Sequence, residues 1–149
     1  MSNTIERRPR ARSDAAAALL RITLGVMYLT HSIVLKVFTF GFAGTAAYFA
    51  SLGLPGFTAY LVIGAEAIGG ALLLANVATG WVAAGLLPIL AGALWVHSGN
   101  GWVFTAPGGG WEYPLFLMVV SCVVALQAFA LRRIPASLPP AVGSASQMA

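Results

Sequence analysis

Five side chains in a largely apolar chain are able to do chemistry: His31, Lys36, Glu66, His97 and Glu112. The histidines and acids can donate, accept or exchange protons, and the lysine can act as a counter-ion. Glu66 is the most telling. It sits at the middle of the stretch 57–75, FTAYLVIGAEAIGGALLLA, which is long enough to cross a bilayer. The seven large aliphatics of that stretch (Leu61, Val62, Ile63, Ile68, Leu72, Leu73 and Leu74) each favour insertion by about 0.3–0.6 kcal/mol, whereas a central charge costs about 2.5–3.5 kcal/mol. The two terms nearly cancel. An acid in that position is therefore neutral, paired or turned to a polar interior, and it is a site candidate by default.

The donor set suits a quinone or a similar small amphiphile. Quinone carbonyls need hydrogen-bond donors that also exchange protons, which Glu66, His31 and His97 can supply. Lys36, Glu112 and the aromatic residues Trp111, Tyr113 and Tyr28 complete the candidate ligand-binding set. Haem held by two histidines is the weaker reading, because His97 falls at the end of its apolar run and His31 well inside its own. No metal site is expected, since none of the histidines and acids has the i, i+3 or i, i+4 spacing that makes such motifs specific. There is no glycine-rich phosphate loop after a strand, no cysteine pair and no nucleophile elbow. A proton-coupled carrier with Glu66 as its titrating group, and a scaffold subunit, stand as alternatives from other functional classes.

These residues must be positioned by helices in a membrane. The chain has 149 residues, of which 59% are hydrophobic and 8% charged, with a net charge of +4. That composition excludes a soluble domain and points to an all-α integral membrane four-helix bundle. The arginines flank apolar segments, so they are topology signals and not a nucleic-acid surface. The single Cys122 lies in the last apolar run and reads as a packed thiol.

Four spans are expected at about 15–35, 57–75, 81–97 and 113–131, preceded by a basic tail over 1–14 and followed by a disordered tail over 132–149. Ser13 and Asp14 are candidate caps for the first helix, and Arg21 is expected to snorkel to the headgroups. Residues His31 and Lys36 are five apart, so a regular helix sets them about 140° apart. Between the first two spans, 45–52 reads as a short interfacial or re-entrant helix stopped by Gly53. Gly69 and Gly70 open a close approach for a helix or ligand. Gly80, Ala84, Pro88 and Gly92 form a small-residue stripe on the third span. GGG at 108–110 reads as a turn signal. Basic residues at both ends place both termini in the cytoplasm of an inner membrane, with the polar cluster in the outer half of the bundle. Phe38, Phe57, Trp95, Trp102, Trp111 and Tyr113 then gather at the outer interface and Trp81 at the inner one.

At these residues the chain resembles the DoxX family of small four-helix bacterial membrane proteins. The likeness rests on LLRITLGVMYLTHS followed by a lysine, on FASLGLP, on EAIGGALLL, on VH followed by NG, and on GGWEYPL, which together run from about 19 to 131. His31, Glu66, His97 and Glu112 fall on the family's recurrent polar positions. The chain departs from the pattern at Ser32, where a glycine is usual, at Lys36, which follows the histidine by five residues where four is commoner, and at Thr79–Gly80, where a basic residue is often found. The resemblance implies a membrane subunit of a redox or respiratory assembly, with likenesses to part of thiosulfate:quinone oxidoreductase and to partners of oxidative-stress complexes. No electron carrier is evident in the chain itself, so a partner protein or the substrate is expected to supply electrons. The resemblance leaves open whether the chain is itself catalytic, and a part of a quinone-dependent oxidoreductase is the enzyme reading it allows.

Overall fold

The computed structural model describes residues 7–132, with side chains described from 13 to 131. The expectations for the two tails, from 1 to 6 and from 133 to 149, lie outside the described residues. Five α-helices follow one another: α1 (Arg7–Leu29), α2 (Gly41–Ser51), α3 (Phe57–Leu74), α4 (Thr79–His97) and α5 (Glu112–Arg132). Between α1 and α2 the helix runs on as a π-helical segment, Thr30–Thr39. Since α1 begins at Arg7, Ser13 and Asp14 lie inside it and not at its start. Pro9 is tolerated in its first turn, where its missing N–H has no intrahelical partner.

Four of these elements, Ser13–Thr39, Phe57–Leu74, Thr79–His97 and Glu112–Leu131, are long and apolar enough to cross a membrane. They pack in a ring in which α1 touches α3, α3 touches α4, α4 touches α5 and α5 returns to α1. Leu24, Tyr28, Leu73, Leu86, Leu90, Leu117 and Val124 fill the centre, while Leu61, Ile68, Phe116 and Leu126 point outward. Large apolar side chains on the outer surface of apolar spans are what lipid contact requires. The chain is a multi-pass membrane bundle.

Glycines set how closely the helices meet. A Cβ on Gly70 would lie 2.9 Å from the carbonyl oxygen of Gly25, so only glycine at both positions lets α1 and α3 cross at this distance. Gly69 is filled from the other side by Leu86 of α4, and Gly80 by the ring of Phe129 of α5. The stripe on α4 is thus used for close packing at Gly80 but not at Gly92, where an added Cβ would meet nothing within 4 Å.

Arg21 does not reach for headgroups alone. Its Nη1 donates to the carbonyl of Leu73 and, at 3.0 Å, to that of Leu74. These are the last carbonyls of α3; Leu73 O also accepts the Asn76 N–H at 3.1 Å, and the arginine adds a cap from a neighbouring helix.

The π segment is the other departure from a regular bundle. Phe40 N–H bonds to Leu35 O at 2.9 Å, five residues back. Hydroxyls support the widened turn: Thr39 donates to Val34 O and Thr45 of α2 donates to Lys36 O, both at 2.8 Å. Gly41, with φ +73°, then turns the chain into α2. This helix begins four residues before the expected 45–52 and gives way near Gly53, which has φ +80°. It packs on α3 and on the π segment.

Candidate functional site

At the His97 end of the bundle the helices part around a cavity of about 530 Å³, lined from α1, the π segment, α2, α3, α4 and α5. His31, Lys36, Glu66, His97, Tyr28 and Tyr113 all face it. The widened turn explains how the first two come together. In a π-helix, hydrogen bonds run from i to i+5, so residues five apart lie nearly in line, whereas an α-helix would set them on different faces. The one extra residue between His31 and Lys36 is absorbed there.

Lys36 Nζ donates to Glu66 Oε2 in a direct ion pair. The glutamate side chain is only 7% exposed, so the pair answers how an acid is carried at mid-span: of the options open in the sequence, pairing is the one adopted. Both histidines are held through Nδ1. His31 Nδ1 is 2.9 Å from Met27 O, and His97 Nδ1 is 3.0 Å from both Gly108 O and Gly109 O. A carbonyl can only accept, so each Nδ1 carries a proton, and in the neutral form of the ring Nε2 keeps a lone pair. The His31 ring stacks on Tyr113, with centroids 5.5 Å apart and planes at 22°.

The Tyr113 hydroxyl is buried and has no hydrogen-bond partner among the described residues. Buried polar groups are nearly always paired, so an orphaned phenol on a cavity wall marks a place where a ligand acceptor would be favoured. Tyr28, in contrast, turns its hydroxyl to Ser121 Oγ at 3.4 Å and offers the cavity its ring. The remaining walls are apolar, with Phe49, Leu52, Val62, Ile89 and Leu117 among them.

Two expected residues are not brought to this cavity. Glu112 accepts the Phe104 N–H at 2.8 Å and pins the 98–111 loop. Trp111 packs edge-to-face on Trp102, centroids 4.4 Å apart. Both lie just before or at the first turn of α5, where the chain serves the loop, and neither is among the lining residues. Of the aromatic residues expected at the interface, Tyr113 is turned inward, while Phe38, Phe57, Trp95, Trp102 and Trp81 are exposed.

Some contributors were not anticipated. The glycines at 108 and 109, with φ +82° and +79°, are more than a turn: their carbonyls orient His97. A histidine closing a helix shortly before a glycine run was the available signal. Gly92 and Pro88 of α4 line the cavity, Gly92 by leaving space. Taken together, the site offers one free donor, two lone pairs, a buried ion pair and apolar walls. Among the described residues no group of three or more His, Cys, Asp or Glu is placed to hold a metal ion.

Comparison with known proteins agrees with the fold. The DoxX family model matches residues 16–99, more than half of the chain. A Bacillus subtilis (strain 168) protein named "Putative oxidoreductase CatD" is 38% identical over 66 residues, 44% of this chain and 47% of that protein. The match thus spans about half the length of that relative. No solved structure matches.

Proposed function

Because the chain belongs to the DoxX family, we propose that it is a membrane subunit of a redox assembly and that its large cavity takes a quinone or a similar small carbonyl-bearing amphiphile. The observation that carries this reading is the buried Tyr113 hydroxyl, without a hydrogen-bond partner among the described residues, beside the stacked ring of His31. The phenol donates to one carbonyl oxygen. The Nε2 atoms of His31 and His97 accept from a hydroxyl once the ligand is reduced, and the Lys36–Glu66 pair offers a protonic group at the same wall. Apolar walls match a ring and an isoprenoid or alkyl tail. A relative named as an oxidoreductase supports the redox setting. Electrons come from a partner protein, since the residues here move protons and not electrons. A carrier with Glu66 as a free titrating acid is less favoured, because that acid is already paired.

The test is a titration of the purified protein with ubiquinone-1 and with menadione, read by quenching of tryptophan fluorescence, since Trp95 lines the cavity. Wild type should saturate. Tyr113→Phe should weaken binding by about tenfold, as loss of one hydrogen bond of roughly 1.4 kcal/mol implies. No saturable quenching in wild type, or identical affinity in Tyr113→Phe, refutes the reading.

We further propose an inner-membrane orientation with both termini in the cytoplasm, supported by arginines near both ends. Cysteines introduced at Ser2 and Gly108 should then react with impermeant reagents from opposite sides. Labelling from one side only overturns the placement of the cavity in the outer half.

A further inference from the structure

A second cavity, of about 370 Å³, opens at the opposite end of the bundle between α1, the α3–α4 turn and α5. It shares no residue with the first. Arg21, Asp14, Asn76, Thr79 and Gln127 bring polar groups to it. Its level in the membrane follows from the fold: the turn over 75–78 marks where two spans end, so the cavity lies where lipid headgroups lie.

Its groups are incompletely matched. Arg21 uses Nη1 to cap α3. Its Nε and Nη2 hydrogens bond to no acceptor among the described residues and remain able to take an anion. The first residue of α4, Thr79, also lines the cavity and brings the positive end of that helix to it. Asp14 makes no ion pair among the described residues, though it lies two turns from Arg21 on the same face of α1. The amide oxygen of Gln127 is buried with no donor among the described residues. The cavity therefore calls for one anionic group and for N–H donors. A phosphate alone satisfies Arg21 but leaves Asp14 and Gln127 unanswered, and a choline headgroup brings no N–H.

We propose that this cavity binds the headgroup of phosphatidylethanolamine, with the phosphate at Arg21 and the ammonium toward Asp14 and Gln127. The order along the membrane normal agrees. Asp14 is nearer the helix end than Arg21, and in a phospholipid the ammonium lies farther out than the phosphate. The lipid, and not soluble phosphoethanolamine, is the occupant because the apolar side chain of Val124 continues the cavity wall along α5 toward the acyl region. The site is independent of the quinone reading.

The experiment is native mass spectrometry of the full chain released from mixed vesicles of dioleoyl-phosphatidylethanolamine and dioleoyl-phosphatidylcholine in equal amounts. Wild type should retain the ethanolamine lipid at least fivefold over the choline lipid. Asp14→Asn and Gln127→Leu should each bring the ratio toward one while the melting temperature in detergent stays unchanged. Arg21→Gln should lose both lipids, and because it also removes the cap on α3 it is read only beside the other two variants. Equal retention of the two lipids by wild type overturns the proposal. So does an unchanged ratio in the Asp14→Asn/Gln127→Leu double variant, or displacement of the lipid by millimolar phosphoethanolamine, which would make the soluble compound the ligand.

Discussion

Helix α3 meets α1 in one half of the bundle and the π segment that continues α1 in the other, and the two meetings are built differently. In the half nearer Arg21 they touch backbone to backbone at Gly25 and Gly70, with the arginine closing the end of α3. In the half nearer His97 they are bridged by long side chains, Lys36 to Glu66, across a turn widened into a π-helix. Where small residues close the seam, no ligand can enter between the helices. Where an ion pair spans it, a cavity of about 530 Å³ opens. A charge in an apolar span thus does two different jobs in one chain: Arg21 satisfies backbone carbonyls, and Lys36 allows an acid to be kept inside.

The largest expected effect comes from breaking the wide half. Glu66→Ala leaves the Lys36 ammonium without its partner in a partly buried place and should lower unfolding stability in detergent by about 3 kcal/mol. Adding Lys36→Met should recover at least half of the loss, because no uncompensated charge remains. Equal instability of the single and double variants would show that the pair is not what holds this half together.

The spans themselves were legible, since apolar runs of this length admit little else in a chain with so few charges. Glu66, His31 and His97 stood out for the same reason, as rare polar groups in apolar helices. The π segment was not legible. Nothing in THSIVLKVFT distinguishes a widened turn from an α-helix, because the hydroxyl of Thr45 that takes the freed Lys36 carbonyl comes from another helix. For that reason the separation of about 140° expected of His31 and Lys36 on a regular helix gives way to a shared cavity. Gly25 carries no signal in the sequence, because a helical glycine declares its purpose only when its partner is known. Glu112 and Trp111 looked like site residues by type, yet they serve the 98–111 loop.

A smaller effect sharpens the contrast in the narrow half. Gly70→Val places a Cβ 2.9 Å from the Gly25 carbonyl, backbone that cannot step aside, and should cost about 1–3 kcal/mol. Gly64→Val on the same helix has open space around its Cβ and should stay within about 0.5 kcal/mol of wild type. Similar melting temperatures for the two variants would mean that α1 and α3 are not locked at Gly70.

The central claim is that the wide half is a ligand cavity, and α4 supplies a matched pair of positions to test it. Gly92 lines the cavity and Gly85 does not, while an added Cβ at either meets nothing within 4 Å. Both can accept a large side chain without a clash at the Cβ. The measurement is the affinity of menadione for Gly92→Trp and Gly85→Trp, read by equilibrium dialysis in detergent. Gly92→Trp should weaken binding more than tenfold, while Gly85→Trp binds as wild type does. Undiminished binding in Gly92→Trp, or equal loss in both variants, would contradict a ligand seated between the ion pair and Tyr113.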